Sequence, residues 1–119
     1  MTPKQTIEQY LQRVKEKGNW QDFIADNIRF ESPAPPAVGK DAYVTGASRF
    51  FQIVETLTIQ HMVTEQDKVA VWVDYALRLP NGKTSRCLVA ELLQVKDEKI
   101  ILSSIMFDTL ALKEFTSSK

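Results

Sequence analysis

The chain has 119 residues, 44% of them apolar and 25% charged, with fifteen basic residues against fifteen acidic ones. That length suits one domain over residues 1–119, with a core that needs no metal or disulfide staple. Cancelled charge with no basic block argues against a nucleic-acid partner, no apolar run nears a membrane span, and MTPKQTIEQY lacks the apolar stretch of a secretory leader, so a cytoplasmic protein is the expectation.

In TPKQTIEQYLQRVKEKG, Ile7, Tyr10, Leu11 and Val14 recur at helical spacing and predict one apolar stripe. Thr2, Pro3 and Gln5 have the form of a capping box, and Gly18 is the expected left-handed stop. Asn19 is placed to cap a short second helix, WQDFIAD, and NIRFES reads as a short strand ended by the prolines of SPAPPAVGK. A third helix is predicted in KDAYVTGASRFFQIVE, through Val44, Ala47, Phe51 and Val54. Gly46 inside it costs about 1 kcal/mol against alanine, which predicts close packing there.

From Leu57 the period changes to two. LTIQHMVTE, KVAVWVDYALRL, KTSRCLVAELLQV and KIILSSIMFD read as four strands joined by the short turns EQDK, PNGK and KDEK, so neighbours run antiparallel. The tail TLALKEFTSSK has room for one helical turn. Alternation puts Val69, Val71, Val73, Tyr75 and Leu77 on one face of the second long strand, with Trp72, Asp74 and Arg78 on the other. Cys87, Val89, Glu91, Leu93 and Val95 form the apolar face of the third, directed at the helices, with Glu91 the intruder and Cys87 a buried, inert thiol. The expected class is α+β: a curved, mostly antiparallel sheet around the N-terminal helices. There is no phosphate loop, no dinucleotide glycine motif, no paired-cysteine spacing and no nucleophile elbow, so no cofactor is expected. The single histidine, His61, has no metal-ligand spacing around it, and no metal is expected either.

The order and lengths of these elements, with IEQYLQRVKEKGNWQDF, NIRFESP…GKDAY and KIILSSIMFD as local matches, resemble the nuclear transport factor 2-like superfamily. Within it the chain is similar to the SnoaL-like and ketosteroid isomerase-like group. The resemblance implies a cystatin-like cone in which the sheet wraps the long helix around an internal pocket, and often a homodimer. In the isomerase branch a tyrosine on the first helix and an acid on the third long strand hydrogen-bond an enolate oxygen, and a carboxylate just before a proline moves the proton. Tyr10 and Glu91 match the first two positions. Ser32, in FESP, holds the third, and its hydroxyl is far too weak a base for an α-proton. Asp108 is similar to an acid that SnoaL-like cyclases carry late in the last strand, although alternation puts it opposite Phe107.

The readings of Glu91 are an acid poised for a ligand carbonyl, or a carboxyl paired structurally with Tyr10 or His61, or, with the strand register shifted, one that faces solvent. His61 alternates with Leu57, Ile59 and Val63 and is expected to face the interior, as a general base or as a core histidine. Trp20, Phe30, Ser32, Phe51, Tyr75, Ile105, Phe107 and Asp108 are the candidate ligand-binding residues. Trp72, Asp74 and Arg78 mark an outer sheet face for a homodimer. The functional expectation is a pocket protein that binds a small, largely apolar or cyclic ligand without the usual isomerase base. The alternative is a cofactor-independent isomerase, cyclase or hydrolase acting on a small carbonyl or cyclic compound through Glu91, Tyr10 and His61.

Overall fold

The computed structural model describes residues 1–33 and 37–107. Helix α1, Pro3–Lys15, starts from a complete capping box: the Gln5 amide donates to Thr2 Oγ1 (3.2 Å) and the Thr2 amide to Gln5 Oε1 (2.9 Å). Its buried stripe is Thr6, Ile7, Tyr10, Leu11 and Val14. The helix does not stop at Gly18 as expected. Lys17 takes the left-handed conformation (φ 60°), while the amides of Lys17 and Gly18 close onto the carbonyls of Val14 and Arg13. A lysine tolerates this because its ammonium donates to the carbonyls of Phe51 and Val54, which ties the end of α1 to residues 51–54.

The expected second helix shrinks to one 3-10 turn, Trp20–Phe23, and Asn19 caps it by position without a side-chain bond. Strand β1, Ile24–Glu31, takes over the rest of WQDFIAD. Tertiary pairing overrides the local helical spacing here, because Ile24 is buried and pairs with Ile100 of the last strand. After β2, Ala37–Val38, comes α2, Lys40–Gln52, followed by β3, Val54–Glu65, β4, Lys68–Arg78, β5, Thr84–Lys96, and β6, Lys99–Phe107.

The six strands form one sheet in the order β2-β1-β6-β5-β4-β3. Only β1 and β6 run parallel; the other neighbours are antiparallel, the three consecutive hairpins among them. Helix α1 lies across β3, β4 and β5, and α2 lies against β1 and β2. This is the α+β architecture expected from the pattern, and β4 and β5 bury the two faces that alternation assigned, Glu91 included.

Strand β3 departs from simple alternation. Its pairing with β4 shifts between Val54 and Thr56 and again between Ile59 and His61. A bulge adds one residue and swaps the faces beyond it. Leu57 therefore points to the core, while His61 and Val63, opposite Trp72 and Ala70, are exposed on the outer face. The expectation that His61 faces the interior is corrected.

A second correction concerns Gly46. It is exposed, and a Cβ built on it meets nothing within 4 Å, so close packing does not explain the glycine. Gly46→Ala is expected to stabilise the fold by about 0.5–1 kcal/mol, seen as a higher urea midpoint. A lower midpoint would mean that some part of the protein occupies the space beside α2.

Candidate functional site

Glu91 and Ser103 meet because of sheet register. Glu91 on β5 pairs with Ile105 on β6, and Ser103, two residues before Ile105, lies diagonally across on the same face. Ser103 is fully buried and Glu91 only 7% exposed; Ser103 Oγ donates to Glu91 Oε2 at 2.6 Å. From above, Tyr10 of α1 and Tyr43 of α2 join hydroxyl to hydroxyl at 3.0 Å, and Ser103 offsets part of the rise that burial causes in the Tyr43 pKa. Tyr75 of β4 completes the group and feels the charge of Glu91. Four elements besides β5 thus bring hydroxyls to one buried carboxyl.

Rings fix these hydroxyls in place. Trp20 makes edge contacts with Tyr10 (6.4 Å between centroids), Tyr43 (6.5 Å) and Phe51 (4.8 Å). Phe30 packs edge-on against Tyr43 at 5.2 Å, and Phe50 against Tyr75 at 5.0 Å. Such pairs hold ring orientation as well as burying area. Ile105 and Phe107 are half-buried against the same core. Ser32, just past β1, is half-buried.

Of the candidates from the sequence, Tyr10, Glu91, Trp20, Phe30, Phe51 and Tyr75 are therefore joined through shared contacts, with Ile105 and Phe107 on the flanking strand. His61 is not among them; its ring packs edge-on against Trp72 at 6.0 Å on the opposite face of the sheet. Asp108 and the centre of the proline run, residues 34–36, lie outside the described residues. Tyr43, Ser103 and Phe50 were missed. Tyr43, Ala47, Phe50 and Val54 share helical spacing, so a stripe through Tyr43 was available in the same segment as the one read through Val44. Ser103 carries no signal of its own until Glu91 is placed opposite it.

Burial pushes the Glu91 carboxyl up from 4.5 to about 7, against the lowering effect of the Ser103 bond. Burial likewise raises Tyr10, Tyr43 and Tyr75, with the Glu91 charge adding to each. At neutral pH the three phenols are protonated, and Glu91 sits near the middle of its titration. Among the described residues no cluster of histidine, cysteine and acidic side chains has the makings of a metal site.

On the outer face, Asp74 is held by Arg86, whose Nε donates at 3.2 Å, and Arg78 pairs with Glu55. Between and beside these ion pairs Val63, Trp72, Leu88, Leu92 and Met106 are exposed. Cross-strand register sets His61, Trp72, Ala90 and Met106 in one row.

A long helix over a mixed sheet is the architecture that the chain shares with proteins of the nuclear transport factor 2-like class. Residues 7–102 match the SnoaL-like domain, and the chain belongs to that family. No curated protein is similar enough in sequence to count as a match. Among solved structures, a candidate SnoaL-like polyketide cyclase from Jannaschia sp. CCS1 superposes with a TM-score of 0.81 at 14% identity, covering 98% of this chain and 92% of that one. TerC co-crystallised with polyporic acid gives 0.80 at 12% identity, covering 98% of each chain. An NTF2-like protein of unknown function from Cytophaga hutchinsonii ATCC 33406 gives 0.75 at 17% identity, covering 95% and 96%. At these identities the likeness is one of fold.

The raised Glu91 carboxyl makes stability depend on pH in a definite direction. Between about 4.5, its ordinary value, and about 7 the native state holds a proton that the unfolded chain has lost. Stability therefore falls as pH rises through that window, by on the order of 3 kcal/mol for the full shift, and is flat above it as far as this group is concerned. Urea unfolding at pH 5 and pH 8 should show this loss in the wild type, and Glu91→Gln should abolish most of it. Parallel pH profiles for the two proteins would mean that Glu91 is solvated.

Proposed function

We propose that this protein binds a small, largely apolar ligand between its helices and the inner face of the sheet, and hydrogen-bonds the ligand's polar end at Glu91, without catalysing the isomerase's proton transfer. The observation that carries this reading is Glu91 itself: a carboxyl on an otherwise apolar strand face, ringed by Tyr10, Tyr43 and Tyr75 and held by one bond to Ser103. Burying such a group costs stability unless something repays it. A polar site inside an apolar shell is also the usual composition of a small-molecule pocket. The half-buried rings of Phe30, Phe50, Phe51 and Phe107 give that shell a rim with apolar surface still to cover.

Two further observations weigh against the acid/base alternative. Ser32 stands where the isomerases carry their base, and His61 is on the far side of the sheet, so Glu91, Tyr10 and His61 do not form one constellation. A panel of two-ring ketones, phenols and hydrocarbons, screened by thermal shift, tests the binding reading. At least one member should raise the melting temperature, and Glu91→Gln should weaken that member's binding. A panel without effect would remove the proposal. α-Deuterium exchange into a panel ketone, lost in Glu91→Gln, would reinstate the enzyme.

We also propose that the outer sheet face seats a second copy of the chain. Exposed Trp72, Leu88, Leu92 and Met106 form an apolar centre, and the Asp74–Arg86 and Glu55–Arg78 pairs supply the polar surround that self-associating faces carry. Light scattering after gel filtration should give a dimer mass for the wild type and a monomer mass for Trp72→Asp with folding retained. A monomeric wild type at high micromolar concentration would overturn this.

A further inference from the structure

The outer face of the sheet holds a feature finer than an apolar patch. Register places Ala90 of β5 between Trp72 of β4 and Met106 of β6, while Leu88 and Leu92 precede and follow it on the same face of its own strand. A methyl group thus sits among four large side chains that are all exposed, from 37% at Trp72 to 67% at Met106. The result is a socket with apolar walls, so that projecting side chains and a recess lie side by side in one patch. A two-fold interface needs this, because each copy must offer both. The surrounding charges suit a second copy too. Asp74 is held by Arg86 and Glu55 by Arg78, and Arg29 lies 3.9 Å from Glu31, so two identical faces meet without a block of one sign.

His61 belongs to the same row. It stands opposite Trp72 on β3, exposed, and its ring packs edge-on against that indole at 6.0 Å. A partner that covers Trp72 therefore covers His61 as well. Histidine is the one side chain whose ordinary titration falls between pH 5 and 8. An imidazolium taken out of water needs a carboxylate to pair with it. Among the described residues the acids of this face are taken or distant. On β4 the facing acid is Asp74, already bound by Arg86 of β5. On β3 itself Glu55 is bound by Arg78, and Glu65 stands opposite Lys68 at the end of the hairpin. Glu31 of β1 lies beside Arg29, with β6, β5 and β4 between it and His61. The socket residues of β5 and β6 carry no charge.

We propose that a second copy closes over the Ala90 socket and encloses His61 together with Trp72, so that the pair forms with neutral imidazoles and separates when they take up protons. This rests on the dimer reading and adds its regulation. Each dimer holds two such imidazoles, and both must be neutral for the faces to close. Association therefore releases protons below the ordinary histidine range and is indifferent to pH above it. The Glu91 carboxyl, on the other face of the sheet, favours the fold at low pH, so loss of the dimer on acidification has a different origin from unfolding.

Sedimentation equilibrium of the full chain at pH 8 and pH 5.5 tests this, with circular dichroism to follow the fold. The wild-type dissociation constant should be at least about tenfold larger at pH 5.5, and on the order of a hundredfold larger if both imidazoles shed their protons completely. His61→Gln, which cannot take up the charge, should dimerise equally at both pH values. Ala90→Phe, which fills the socket, should leave a monomer at pH 8. The wild type alone gives a further readout, because His61 is the only histidine. At about pH 6.5 its ring-proton shifts should move toward the neutral form as the protein is concentrated, and the same series in Trp72→Asp should not move. A wild-type dimer equally tight at both pH values, a pH dependence retained in His61→Gln, or an unweakened Ala90→Phe dimer would overturn this inference and leave the dimer reading intact. A wild type monomeric at high micromolar concentration at both pH values would remove both.

Discussion

Burying the Glu91 carboxyl on the apolar face of β5 constrains everything around it. Its cross-strand neighbours are Val71 and Ile105, and its own strand face carries Val89 and Leu93, none of which offers a polar atom from its side chain. A charge in such surroundings is retained only with compensating donors. The register of β6 supplies one from Ser103, while α1 and α2 bring Tyr10 and Tyr43, bonded to each other, within the electrostatic reach of the same acid. The positions of both helices over the sheet are thus coupled to one acid through hydroxyls. The aromatic contacts centred on Trp20 hold Tyr10 and Tyr43 in that arrangement.

The two faces of the sheet carry different chemistry, and the bulges of β3 draw the boundary. Without the shift after Ile59, His61 would alternate inward toward Leu57 and stand near Glu91, and an acid and a base would share a site. With it, the imidazole packs edge-on against Trp72 among exposed apolar side chains, and the inner face retains an acid surrounded by neutral hydroxyls. A single inserted residue in one strand is enough to separate the features of a catalytic reading from those of a binding one.

Much of this was legible in the sequence, and the failures have identifiable causes. The long strands β4 and β5 are straight ladders of paired residues, so alternation sorted their faces and exposed Glu91 as anomalous. The capping box at Thr2 is a local interaction and was readable for that reason. The bulges of β3 lie in its pairing with β4, a tertiary matter that a period-two pattern cannot carry. Ile24 was read as helical because its spacing from Trp20 is helical; its pairing partner is seventy-six residues away in β6. Lys17 replaced Gly18 as the helix stop because its side chain finds two carbonyls, one in the last turn of α2 and one at the start of β3, which is again invisible locally. Half of the site hid for a related reason: a tyrosine and a serine become part of a site only when their neighbours are known.

The account stands on Glu91 being an enclosed acid that changes charge near neutrality. The direct measurement is an NMR titration of the Glu91 side-chain carboxyl carbon, assigned by its loss in Glu91→Gln. Its midpoint should lie near 7, where burial against the Ser103 bond puts it. A midpoint in the ordinary carboxylate range, near 4.5, would contradict the enclosed site and with it the readings built on Glu91.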